Sequence, residues 1–176
     1  NSEIYPSGTR SFSITVGQAN YLPSNEHYYQ YVSNFGITWS DAKNLAQTST
    51  YYGLQGYLAT ITAADEAQIS GEQASGAGWI GGSDEETEGI WKWKTGPEAG
   101  NNFTFTKWNT GEPNNLNNED YAHITAPGVG ITGSWNDLSN FGDSSGSYQP
   151  KGYIVEYGGM PGDPILYIST NTTISI

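Results

Sequence analysis

The chain contains no cysteine. That absence removes thiolate zinc sites, thiol nucleophiles and any disulfide framework from which a redox compartment is read. Basic residues are scarce: 6 Lys and Arg stand against 18 Asp and Glu, a formal charge of -12. Such a surface opposes nucleic acid and anionic membranes and makes cations the natural counter-partner. No apolar run approaches the roughly 18 residues of a membrane helix, so membrane insertion is not expected. The opening NSEIYPSGTR lacks the basic-then-apolar layout of a secretion signal, which places the targeting information outside this sequence.

What is present is enough for one globular core: 176 residues, 35% of them hydrophobic. The 23 glycines, with abundant Asn, Ser, Thr and Tyr, point to a loop-rich extracellular module. Phe12, Ile14 and Val16 alternate with polar residues, the period of a half-buried strand, and HYYQYV from His27 reads as another. Thr38 followed by Asp41 resembles a capping box, and Trp39, Ala42, Leu45 and Ala46 recur at helical spacing, so a helix is expected over 38–50. Thr62 and Asp65 repeat the arrangement and open a second helix running to about Ala74, after a strand-like YLATI at 57–61. GWIGG, IWKW, YAHIT and GYIVEY read as further strands.

Between those strands lie long stretches rich in Gly, Asn and Pro, at 94–118 and 128–151, and loops of such length in a compact domain are functional or disordered. No internal repeat is visible. GGMPGDP past Gly158 reads as a linker, and ILYISTNTTISI as a strand that pairs locally or begins another module. The organisation expected is a flanking segment over 1–26, the domain proper over 27–158, and a linker with a strand over 159–176.

The chemistry concentrates in one place. Glu112, Asn114, Asn115, Glu119 and Asp120 fall within nine residues, and Asn136 and Asp137 follow one strand later. Oxygen-only donors without Cys or clustered His suit a hard cation, and Ca2+ takes 6–8 oxygens in flexible geometry. A cis Glu112-Pro113 bond would turn the two flanking side-chain oxygens toward one point. Taken alone, EPNN reads as an ordinary polar turn, and it is the combination with Glu119 and WND at 135–137 that changes the reading.

EPN with the Glu119-Asp120 pair, WND at 135–137, the WIG strand at 79–81, the helix pair and a closing strand at 152–157 together resemble the C-type lectin family over about 27–158. The resemblance implies an α+β fold of two helices, small antiparallel sheets and a long calcium-binding loop region. It implies a principal Ca2+ site at Glu112, Asn114, Glu119, Asn136 and Asp137, where two vicinal sugar hydroxyls complete the coordination, with Leu116 beside the sugar. It implies an auxiliary Ca2+ site at Asp84, Glu88, Asn115, Asp120 and the shared Glu119, where Asn115 replaces the family's usual acid and lowers the charge. EPN goes in this family with mannose-, glucose- or fucose-type glycans.

Departures matter too. The family's cysteines correspond to Ala46 with Val155 and Tyr121 with Asn140, so both disulfides are missing, and Ala46 and Val155 are expected to pack as an apolar pair. Most of the six Trp residues are expected in the core. Phe141 and Tyr148 either extend the binding surface or pack their own loop, and Leu116 is either a sugar wall or plain surface. Catalysis is not expected, because the carboxylates are committed to a metal pattern and no separate acid/base pair is visible. The reading is a calcium-dependent glycan-binding adhesion module of a larger multidomain, secreted or cell-surface protein, such as a bacterial adhesin. The alternative is a protein- or ice-binding module in which calcium is structural.

Overall fold

The computed structural model describes residues 14–167. Phe12 and the segment beyond Tyr167, which carries most of the expected terminal strand, lie outside the described residues. The elements in chain order are β1 (Ile14–Val16), β2 (Ala19–Leu22), β3 (His27–Ser33), α1 (Trp39–Thr48), β4 (Thr50–Tyr51), β5 (Leu54–Leu58), α2 (Ala64–Gln73), β6 (Gly78–Ser83), β7 (Lys92–Trp93), β8 (Tyr121–Ile124), β9 (Trp135–Leu138) and β10 (Gly152–Tyr157). Two helices and a sheet in one unit make an α+β fold, as expected.

Local chemistry sets the helix ends. The Thr38 hydroxyl accepts the Asp41 N–H at 3.0 Å, the expected cap of α1, and Trp39, Ala42 and Ala46 on one face are buried. The helix stops at Thr48, two residues short of the expected end, because Thr50 pairs with Gln55 in the β4–β5 hairpin. At α2 the sequence placed the cap at Thr62, but the N-cap is Ala63, which has no side-chain oxygen. Glu66 supplies the acceptor instead, its carboxylate taking the backbone N–H of Ala63 at 3.0 Å and that of Thr62.

The strand expected over 57–61 is shifted: β5 ends at Leu58, and Ala59 bridges two other strands. The Ala59 N–H donates to Ile154 in β10, and the Ala59 carbonyl accepts from Gly81 in β6. The strand expected from Ile90 shrinks to the two residues of β7.

Strand order is β1-β2-β3-β10-β6-β8-β9, with β5 and β7 attached to β10 and β6. Sheet pairing is mixed rather than purely antiparallel, since the start of β10 runs parallel to β6 while its end pairs antiparallel with β5. All six residues of β10 are buried. The N-terminal hairpin of β1 and β2 continues the sheet beyond β3.

Two apolar clusters fill the interior. In one, Ala46 and Val155 are both buried, as expected where the family has a disulfide. In the other, an aromatic wall supports the long loops: Trp93 stacks on Phe103 at 4.0 Å, and Trp135 packs edge-on against Trp93, Phe103, Phe105 and Trp108. Trp39, Trp79, Trp91, Trp93 and Trp135 are all buried. The loop is also stitched to β9 through backbone bonds of 2.7 Å, from Trp135 N–H to the Lys107 carbonyl and from Asn109 N–H to the Trp135 carbonyl. These bonds deliver residues 110–120 to the end of β9 that carries Asn136 and Asp137.

Candidate functional site

The Glu112-Pro113 peptide is cis, and the side chains flanking Pro113 meet, the Asn114 amide donating to Glu112 Oε2 at 2.6 Å. Asn115, Asn117 and Asn118 have left-handed backbone angles, a conformation Asn tolerates better than most residues, and they curl the chain into a tight cup. Asp137 anchors the cup from β9. Its buried carboxylate accepts the Asn114 N–H at 3.1 Å and the Asn115 N–H at 2.8 Å. Within the cup, Asn114 Oδ1 accepts the Leu116 N–H at 2.8 Å, Glu119 Oε2 accepts the same N–H at 3.2 Å, and the Glu119 N–H donates to Asn115 Oδ1 at 2.8 Å. All five principal residues, Glu112, Asn114, Glu119, Asn136 and Asp137, therefore belong to one local assembly.

Charge is crowded there. Burial, contact with Asp137 and its charge push the Glu112 carboxyl up to about 7. Burial and then the Asp137 charge push Glu119 up to about 7 as well, with Glu112 and Asp143 adding to it. The charged neighbours that act most on this pair, Asp137 and Asp143, are both acidic. Asn136 is buried; its amide N–H donates to the Asp137 carbonyl at 3.0 Å, while its Oδ1 is buried without a partner. An orphaned buried oxygen costs free energy unless something outside the protein meets it.

The second cluster repeats this pattern. Asp84, at the end of β6, is buried and accepts the Gly89 N–H through Oδ2 at 2.9 Å, while Oδ1 has no partner. Its N–H donates to the Asp120 carbonyl at 3.2 Å, which ties the SDEETEG turn to the cup. Burial, with Glu88 and Asp120 adding to it, pushes Asp84 up to about 6. Asp120 accepts from the Asn118 amide at 2.8 Å, and Glu88 is exposed. Among the described residues no three acidic or imidazole side chains already form a metal-holding group by themselves. Amide and main-chain oxygens must complete any shell, and the two orphaned oxygens, one in each cluster, are suited to that role.

Around the cup, Leu116 is exposed, with 63% of its surface accessible, so an aliphatic side chain stands beside the oxygens. Phe141 is exposed, whereas Tyr148 packs edge-on near the buried His123. Asn140, where the family has a cysteine, accepts from Ser40 N–H and hydroxyl at 2.9 Å each and pins the loop to α1. Two features escaped the sequence reading. Asp143 acts on Glu119 from a Gly/Ser-rich loop that carries no spacing signal. Away from the loop residues 112–137 in sequence, His27 bonds the buried Glu156 at 2.6 Å, a pair 129 residues apart that no local pattern marks.

No family model matches the chain. It is 37% identical over 93% of its length to halomucin of Haloquadratum walsbyi, of which it spans only 2%. It is 33% identical over 72% of its length to lectin BRA-3 of Megabalanus rosa, covering 76% of that protein. It is 34% identical over 65% of its length to an alpha-N-acetylgalactosamine-specific lectin of Patiria pectinifera, covering 68% of it. Among solved structures, the mouse scavenger receptor C-type lectin carbohydrate-recognition domain superposes with a TM-score of 0.59 at 22% identity, over 80% of this chain and 93% of that one. A calcium-independent type II antifreeze protein superposes with a TM-score of 0.56 at 18% identity, over 85% and 96% of the two chains. With the fold, the cup and these two lectin relatives in agreement, the chain belongs to the C-type lectin-like family.

Proposed function

We propose that this domain binds neutral sugars in a calcium-dependent manner, with Glu112, Asn114, Glu119, Asn136 and Asp137 holding the principal ion. The observation that carries the reading is the buried, unpartnered Asn136 Oδ1 on the strand whose next residue, Asp137, anchors the cup of Asn114 and Asn115. Bound calcium would supply a charged centre to which two vicinal hydroxyls of a mannose-, glucose- or fucose-type sugar add as ligands. The protein's own side chains do the reading: Glu112 and Glu119 accept hydrogen bonds from hydroxyls, and the Asn114 amide, freed from Glu112, donates to them. Asp137 holds the cup in shape through the Asn114 and Asn115 N–H groups. Leu116 offers an aliphatic wall without an aromatic plate.

Asp84, Glu88, Asn115, Asp120 and the shared Glu119 would hold an auxiliary ion, with the unpartnered Asp84 Oδ1 in support. Because the chain matches 2% of halomucin, we further propose that it serves as an extracellular or cell-surface adhesion module within a larger multidomain protein. Many weak single-sugar sites in one chain gain avidity without any new contact.

The fold alone does not choose between sugar binding and the protein- or ice-binding alternative, since a calcium-independent antifreeze protein shares it. The test is a glycan array with and without chelator, followed by competition with free mannose, glucose, fucose and N-acetylgalactosamine; the last is included because the Patiria relative is named for it. Calcium-dependent binding displaced by mannose supports the proposal. No calcium-dependent glycan signal refutes it.

A further inference from the structure

The segment 158–166 leaves β10 and meets the β2–β3 hairpin and the start of β5. Together they enclose a cleft of about 300 Å³ lined by Tyr21, Glu26, His27, Leu54, Met160 and Asp163, among others. The segment is tied down by the Tyr57 hydroxyl donating to the Gly158 carbonyl at 2.8 Å, and by Asp163, which accepts the Gln55 and Met160 N–H groups at 2.9 and 3.0 Å. Leu166 packs on the core.

His27 stands at the root of this strap. A Cβ built on Gly158 would lie 2.6 Å from the imidazole, and one on Gly159 would lie 2.9 Å from it, so both glycine backbones press directly on the ring. On its other side the ring donates from Nδ1 to Glu156 Oε1 at 2.6 Å. Glu156 is buried at the centre of the sheet. It also accepts the Tyr29 hydroxyl at 3.0 Å and the Thr60 N–H at 2.9 Å, and the ring is the cation whose charge is set against it. Glu66 of α2 and Glu98 of the long loop add negative charge toward the same ring, with Tyr29 of β3 and Tyr57 of β5 completing the titratable surroundings. Both tyrosines are pushed up by burial and remain neutral.

We propose that His27 and Glu156 form a latch that holds the root of the strap, Gly158 to Met160, and that this latch releases in alkaline solution when the imidazolium loses its proton. The direction follows from the surroundings. Burial alone would push His27 down, but the Glu156 hydrogen bond and the charges of Glu156, Glu66 and Glu98 outweigh it and leave the ring above its ordinary value. A histidine raised in the folded state contributes stability that is complete below its unfolded value and is lost as pH rises through its folded value. Above that point the sheet holds a buried carboxylate without a counter-charge, and the Nδ1–H bond that holds the ring against the two glycines loses its charge assistance and weakens. The strap is the last described stretch of chain beyond β10, so the latch makes its docking pH-sensitive.

The test follows the intact chain by hydrogen exchange of peptides covering 158–163 from about pH 6 to about pH 9, corrected for intrinsic rates, alongside a proton NMR titration of His27. Protection of this segment is expected to fall by about tenfold for each unit by which the folded histidine exceeds its unfolded value. His27→Gln, which keeps a neutral side chain at that position, is expected to show low and pH-independent protection. Equal pH dependence in parent and variant, or a His27 that titrates at or below about 6.5, overturns the proposal. If the variant fails to fold, the histidine titration and the parent's exchange profile decide alone: coincident midpoints support the latch, and divergent ones refute it.

Discussion

Acidification is the sharpest probe of the proposed calcium site. Glu112 and Glu119 are each pushed up to about 7 by burial and by Asp137. Calcium coordinates deprotonated carboxylates, so each group that must shed a proton weakens apparent affinity by about tenfold per pH unit below that value. If both lose a proton on binding, affinity falls roughly 100-fold between about pH 8 and about pH 6, where carboxylates of ordinary pKa would show almost no change. Solvent screening of these partly exposed groups makes that an upper figure. Stability follows the same linkage. With free calcium at about 1,000 times Kd near pH 8, the ion contributes about 4 kcal/mol, or roughly 8–16 °C in Tm. At the same calcium near pH 6, the ratio drops to about 10 and the gain to about 1.4 kcal/mol, or roughly 3–6 °C. The sign for the ion-free domain is opposite: both carboxyls are raised above their unfolded values, so protonation favours the fold, and stability rises as pH falls from about 7 toward about 4.5. Calorimetry in matched calcium and chelator buffers at several pH values measures the difference, and titrations in buffers of different ionisation enthalpy count the protons released. A calcium-induced Tm shift of equal size near pH 6 and pH 8, or no shift at all, refutes the reasoning.

Asp137→Asn keeps the side chain's size but removes one negative charge and one of the two acceptors for the Asn114 and Asn115 N–H groups; calcium-dependent glycan binding is expected to be lost on an array, with a cost of about 1–3 kcal/mol in chelator from the unpaired amide. Exchanging Glu112 for Gln together with Asn114 for Asp conserves charge but reverses hydrogen-bond polarity along one edge of the site. Mannose affinity is then expected to fall about 10- to 100-fold with calcium still bound, as calorimetric titration will show. Gly81→Ala places a Cβ 2.2 Å from the Thr95 hydroxyl and 2.8 Å from the Leu58 carbonyl, and overpacking there is expected to cost about 1–3 kcal/mol by denaturant unfolding.

Much of this protein is written locally. The Thr38 cap, the β-forming aromatic and branched runs of β3 and β10, and the density of acids and amides between 112 and 137 are short-range patterns, because a helix cap, strand propensity and a metal-loop motif each act over a few residues. The resemblance to the C-type lectin family, not spacing by itself, grouped Asn136 and Asp137 with Glu112 and Asn114. Tertiary structure decided what no window of sequence contains. The α2 cap passed to Glu66 because Ala63 has no oxygen to offer. The strand ended at Leu58 because Ala59 gives its N–H to β10 and its carbonyl to β6, while the Thr60 N–H turns to the Glu156 carboxylate. One stretch of β10 runs parallel because the two strands beside it arrive from opposite directions. Asn136 Oδ1 and Asp84 Oδ1 became orphans only once the chain closed over them. His27 met Glu156 across 129 residues because sheet pairing, not sequence proximity, decides which buried charges face each other.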